Sequence, residues 1–177
     1  SGLFPFKIAC AINDLPEADQ ISYKIVRQEL QQIREHVELD GHLRPAIFPF
    51  GPDMYVSYYG VDNILLLSLD DASDYLMRMG RFSELFSDIQ QRLQKGLEKG
   101  YVLPAILLEP VINNISAYIG TSEEDSAWYK PFNSSFIENT AGIAQLQTEA
   151  KQCIVEHIQP AYQNFVNYLR DHYAPHC

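Results

Sequence analysis

Five stretches of the chain place apolar side chains three or four residues apart, and four of them stop at a glycine. That period gathers apolar groups on one face of an α-helix, so it commits most of the chain to helices that pack on one another. Ile21, Ile25, Val26, Leu30, Ile33 and Val37 predict a helix over 16–39 that ends at Gly41. Asp14, Pro16 and Glu17 ahead of it supply an acceptor for first-turn amides, a pre-set φ and a capping-box acid. Ser68-Leu69-Asp70-Asp71 opens the next helix, with Tyr75, Leu76 and Met79 inward and a break at Gly80.

The third stripe is Phe82, Leu85, Phe86, Ile89, Leu93 and Leu97. It closes at Gly100, where a left-handed residue satisfies the last carbonyls. Pro104 restarts the chain, and Leu107, Leu108, Val111, Ile112, Ile115 and Ile119 run to Gly120. Pro110 inside that run predicts a bend there or a start near Glu109. The last helix is expected from Ser135, with Glu138 as its capping-box partner. Its stripe runs from Leu146 through Ala150, Cys153, Ile154, His157, Ala161, Phe165 and Leu169 to Tyr173. Pro160 lies within it, so one long bent helix or two nearly collinear ones are expected.

Between the first two helices, residues 42–69 carry Pro45, Pro49, Gly51, Pro52 and Gly60 among Phe48, Phe50, Tyr55, Tyr58 and Tyr59. So apolar a segment is expected as an irregular layer packed on the helices, with Met54–Tyr59 and Ile64–Leu67 as a short β-hairpin. Residues 1–14 read as an N-terminal tail and 121–134 as a polar loop holding Glu123 to Asp125 and Trp128, the single tryptophan. The expected architecture is one all-α domain over 1–177, a bundle-like array of helices. At 177 residues such a domain hides roughly 70% of its unfolded surface and needs no disulfide or metal to fold.

Lys and Arg number 13 and Asp and Glu 23, a net charge of −10. That sign disfavours nucleic acid and anionic lipid as partners. No apolar run reaches the ~20 residues that span a bilayer, and no signal-peptide pattern opens the sequence. Cys10, Cys153 and Cys177 form no metal-ligand spacing; one disulfide or three free thiols fit the count. Asn114-Ile115-Ser116 and Asn133-Ser134-Ser135 match the glycosylation acceptor pattern, which matters only in a eukaryotic secretory setting.

No catalytic constellation emerges. His36 and His42 flank Glu38 and Asp40, but a helix end and Gly41 separate them, so no shared face presents them as ligands. His172 and His176 have i, i+4 spacing ahead of Cys177, yet Pro175 disfavours helical geometry at Ala174. His157 falls on the apolar stripe and reads as a core histidine. There is no GxSxG elbow, phosphate-cradling glycine loop or HExxH. The acids Asp70, Asp71 and Glu123 to Asp125 stand where caps and solvated loops carry them. Neither catalytic nor metal-binding residues are therefore expected. The aromatic group Tyr55, Tyr58, Tyr59 and Trp128 suits a ligand groove, since each ring pairs an apolar body with a polar tip. Core packing accounts for it more simply.

Three stretches taken in order carry a resemblance: DDASDYLMRM at 70–79, LQKGLEKGYVLPAILLEPVI at 93–112 and IQPAYQNFVNYLRDHYAP at 158–175. The second sets Gly96, Gly100 and Pro104 four apart, and the third holds Pro160-Ala161-Tyr162, Leu169 and Tyr173-x-Pro175. Together they resemble the N-terminal part of the bacterial family catalogued as domain of unknown function 885, over roughly 15–175. The resemblance implies a helical, zinc-metallopeptidase-like protein, often exported or lipid-anchored, which points to the bacterial cell envelope or periplasm. In that family the zinc-binding His-Glu motif lies downstream of the Pro-Ala-Tyr helix, so no position of this chain matches it.

The resemblance further implies a non-catalytic N-terminal scaffold or cleft domain, inactive alone, with zinc held only by the downstream part. Its partners would be the remainder of its own polypeptide, a peptide substrate and further copies meeting through an exposed apolar face. A stand-alone helical module that binds a ligand or protein is the alternative.

Overall fold

The computed structural model describes residues 12–43, 61 and 63–177, apart from 138 and the side chain of His42. Those residues are mostly helical with no strand among them, as the stripes predict. The chain divides into two compact units, Ser1–His42 and Leu43–Cys177.

In the first unit a 3-10 turn, Ile12–Asp14, leads into α1, Glu17–Glu38. The expected capping box is not used. Asp14 is taken up in the 3-10 turn, and Pro16 stands at the N-cap with no side-chain cap. At the far end Leu39 N–H donates to the Glu35 carbonyl at 2.9 Å. Asp40 takes a positive φ of 54°, a conformation Asp tolerates better than most residues. Gly41 then passes against the His36 imidazole, which a Cβ there would have to push aside. No residue of α1 is buried.

The second unit holds the core. Residues 64–67 have no regular structure, and the expected strand 54–59 lies outside the described residues. α2 spans Leu69–Gly80 and starts as expected. Ser68 Oγ accepts from Asp71 N–H at 3.1 Å, while Asp71 Oδ2 accepts from Leu67 N–H at 3.1 Å. α3, Phe82–Glu98, ends in a Schellman motif. Tyr101 N–H reaches the Gly96 carbonyl at 2.8 Å and Gly100 N–H the Leu97 carbonyl at 3.0 Å. Gly100 has φ 77°, so the left-handed residue sits where the stripe ends.

α4, Ala105–Ser116, is continuous across Pro110, so it does not begin near Glu109. The bond Pro110 cannot make would go to the Ile106 carbonyl in the first turn. Ile106 is 82% exposed, so water reaches that turn.

The final helix starts later than Ser135. Three successive turns carry the chain there: Ile137 N–H to Ser134, Thr140 N–H to Ile137 and Ile143 N–H to Thr140, at 2.9–3.1 Å. Gly142 at φ 96° cannot lie inside a right-handed helix, so α5 begins only at Ile143 and runs to Cys153. A widened π-turn, Ile154–Ile158, joins it to α6, Gln159–Tyr168. A second π-turn, Leu169–Tyr173, and a 3-10 turn, Ala174–His176, finish the chain. Each π-turn stands just before a proline, Pro160 and Pro175. A proline ring presses on the carbonyl four residues back, here Glu156 and Asp171, and both lie inside the widened turns that relieve the clash.

α2 packs on α5, and α3 and α4 pack on α6. Between them Phe82, Phe86, Phe165, Tyr162 and Trp128 form a buried ring cluster. Centroids lie 4.7 Å apart for Phe82–Trp128, 4.9 Å for Phe82–Tyr162 and 4.5 Å for Phe86–Phe165. Such tilted and edge-on pairs stabilise beyond the area they bury.

Candidate functional site

The polar tips of the buried aromatics show how the conspicuous residues are used. Tyr75 O–H donates to the Trp128 carbonyl at 3.1 Å, and Trp128 Nε1–H donates to Tyr162 Oη at 3.3 Å. The stretch 70–79 is thereby tied through Trp128 to the Pro160-Ala161-Tyr162 stretch. The Leu103 N–H donates to Tyr173 Oη at 2.9 Å, which ties the Gly96-Gly100-Pro104 stretch to the chain's last turn. Burial pushes the Tyr173 hydroxyl up to about 12, the bond from Leu103 opposing it. A phenol so placed keeps its proton at neutral pH and serves as a fixed hydrogen-bonding post.

Gly96 has a second task beyond the Schellman motif. A Cβ there would stand 2.5 Å from the Leu43 carbonyl oxygen, so a glycine lets that backbone close on α3. The 121–134 segment, expected as a polar loop, is a strap. It buries Ser126, Trp128, Tyr129, Pro131 and Phe132 and shows Glu124 and Asp125 to solvent. Three side chains of the final helix hold it. Gln147 Nε2–H donates to the Phe132 carbonyl at 3.1 Å, Lys151 Nζ pairs with Glu124 at 2.6 Å, and Gln159 Nε2–H donates to the Thr121 carbonyl at 2.8 Å. Lys151 also lies 5.1 Å from the Tyr129 ring centroid, and its ammonium is held above its usual range, first by the bond to Glu124.

Of the four groove residues, Trp128 is 6% exposed and its indole N–H is engaged inside the core. Tyr55, Tyr58 and Tyr59 lie outside the described residues. His157 is a correction: it is exposed, not a core histidine. The π-turn inserts one residue into the period, so Ile158 takes the inward position and His157 swings out. His172 lies 5.9 Å from the Tyr168 ring, and both His172 and His176 are exposed. Among the described residues no three His, Cys, Asp or Glu side chains come together as a metal cage. Cys153 and Cys177 are free thiols whose pKa values burial raises, so neither is an activated thiolate; Cys10 is outside the described residues.

The sequence did not point to one surface feature. An open depression of about 520 Å³ lies beside α2, lined by Ile64, Leu65, Leu66, Asp74, Met77 and Arg78 among others. Its charged rim is largely engaged, with Arg78 5.5 Å over the Tyr75 ring and Arg81 bonded to Glu84 at 3.0 Å. No described helix is long and apolar enough to cross a membrane.

These observations define an all-α helical protein whose most distinctive residues are spent on holding its helices together. The chain belongs to the family described as bacterial protein of unknown function (DUF885), whose model matches residues 7–177. No curated protein and no solved structure matches the chain.

Proposed function

We propose that the Leu43–Cys177 unit is a non-catalytic helical scaffold that walls one side of a peptide-binding cleft in a zinc-metallopeptidase-like protein, the reactive groups coming from elsewhere in the polypeptide. What supports this is the use of the three stretches that carry the family resemblance. Tyr75, Gly96, Gly100, Tyr162 and Tyr173 are all engaged in internal bonds, turns or close approaches. A wall of this kind contributes by shape and by excluding water, not by proton transfer. The test is peptide hydrolysis by the purified 177-residue chain, with and without added zinc, against a mixed fluorogenic peptide set. The expected result is no turnover and no retained zinc. Turnover above the buffer rate, or zinc bound one to one, overturns the proposal.

A further inference from the structure

The apolar face of α1 has no use in the scaffold reading, and its pattern says what it fits. Tyr23, Val26, Leu30, Ile33 and Val37 follow one another at steps of three, four, three and four, the a and d positions of a heptad. The four aliphatic members are 50–57% exposed. Ile21, Ile25 and Leu39, also more than half exposed, make a second apolar edge roughly a third of a turn away or more. A seam with Leu30 at an a position and β-branched Val26 and Ile33 at d favours more than two strands.

Charge decides the direction. Arg27 and Arg34 take the e positions, and Glu29 takes a g position. Antiparallel pairing would set Arg27 against Arg34 of the neighbour, like charge on like. Parallel pairing sets Glu29 against Arg34 of the neighbour, opposite charges at the flank of each seam. Arg34 already makes an exposed pair with Glu38 at 3.3 Å, a contact weak enough to be shared or exchanged.

We propose that α1 is a self-association element, joining three or more copies of this chain in a parallel bundle. The seam from Tyr23 to Val37 is short, about 21 Å, so the assembly depends on concentration.

Sedimentation equilibrium of the full chain, at concentrations up to the order of 0.1 mM, reads the mass directly. The expected mass is three or four chains, and a monomer or a dimer overturns the proposal. Ile33→Asp should return the mass to one chain while leaving the near-ultraviolet dichroism of Trp128, buried in the other unit, unchanged. Glu29→Arg and Arg34→Glu should each weaken association about tenfold, since each places like charges across every seam. The double variant should recover to within about threefold of the parent. Failure of the double variant to recover overturns the parallel register. None of these readouts depends on peptidase activity, so they stand or fall apart from the scaffold reading.

Discussion

α1 and α3 look alike in the sequence and meet opposite ends in the structure. Both carry apolar residues at three- and four-residue steps, yet α1 buries none of its residues whereas α3 buries Phe82, Phe86, Leu93 and Gly96. Periodicity therefore specifies a helix and a face; it does not specify what the face meets. What separates the two is the company each keeps. α3 presents two aromatic rings and a glycine, which admit close rings and close backbone, while α1 presents aliphatic side chains alone on its seam apart from Tyr23. A direct way to break this comparison is to remove one side chain from each. Phe86→Ala, which takes a ring of α3 out of the cluster against α6, should cost about 3–5 kcal/mol in urea unfolding. Ile33→Ala, measured in dilute solution where copies are apart, should stay within about 0.5 kcal/mol. Equal costs would mean that α1 is buried after all.

The second contrast is between the glycine that ends a helix and the glycine that admits a neighbour. Gly96 and Gly100 stand four apart and read alike in the sequence. Gly100 has φ 77° with open space around it, whereas Gly96 is helical with the Leu43 carbonyl against it. Gly96→Ala should cost about 1–3 kcal/mol, because backbone must move to admit the methyl. Gly100→Ala should cost about 1 kcal/mol, the strain of a left-handed alanine. A reversed order would show that Leu43 gives way easily, and that the tight approach is not what fixes glycine at 96.

Tyr173 and Tyr168 sharpen the comparison between the tyrosines that close the fold. Both phenols are held above their usual range by burial, Tyr173 to about 12. A hydroxyl raised in the folded state favours folding at every pH below 10, and that contribution drains away as pH climbs from 10 toward 12. The unfolding midpoint should therefore fall across that interval. Tyr173→Phe should reduce the fall and, at pH 7, lower stability by about 1–3 kcal/mol, since the buried Leu103 N–H loses its acceptor. An unchanged alkaline profile in the variant would assign the effect to Tyr168 or to the rest of the chain.

How far the sequence could lead is visible in the same residues. The all-α class, the ends of α2 and α3 and the left-handed Gly100 were legible because each follows from local chemistry: spacing, a serine cap, a glycine after the stripe. His157 was not legible, because its direction depends on a π-turn that inserts a residue ahead of Pro160, a change of register that a constant period hides. The start of α5 was missed for a related reason: Ser135 and Glu138 match the capping pattern, yet Gly142 adopts a φ that no α-helix contains. The strap 121–134 looked polar because its acids dominate the count, while its burial rests on Trp128, Tyr129 and Phe132 and on glutamine and lysine partners 15 to 38 residues away. Of the groove, the sequence named four rings that share a chemistry, but a shared chemistry does not locate them; Trp128 lies in the core.

The two capping patterns give the smallest and cleanest comparison. Asp14 with Glu17 and Ser68 with Asp71 are alike in sequence, and only the second caps its helix, Ser68 Oγ taking the Asp71 amide and Asp71 Oδ2 that of Leu67, one residue before the N-cap. The difference lies in what precedes the helix. Ser68 has extended backbone, φ −146° and ψ 167°, which turns its Oγ toward the amide of Asp71. Asp14 is drawn into a 3-10 turn whose own bond, Leu15 N–H to the Ile12 carbonyl at 3.2 Å, sets it back from α1. Pro16 then occupies the N-cap, where it has no side-chain acceptor to offer. Ser68→Ala should therefore lower stability by about 1 kcal/mol, and Asp14→Ala should change the helical dichroism of the chain and its unfolding midpoint by less than the scatter of repeat measurements, within about 0.5 kcal/mol. A cost at Asp14 as large as that at Ser68 would mean that the aspartate caps α1 in solution and that the 3-10 turn opens to let it.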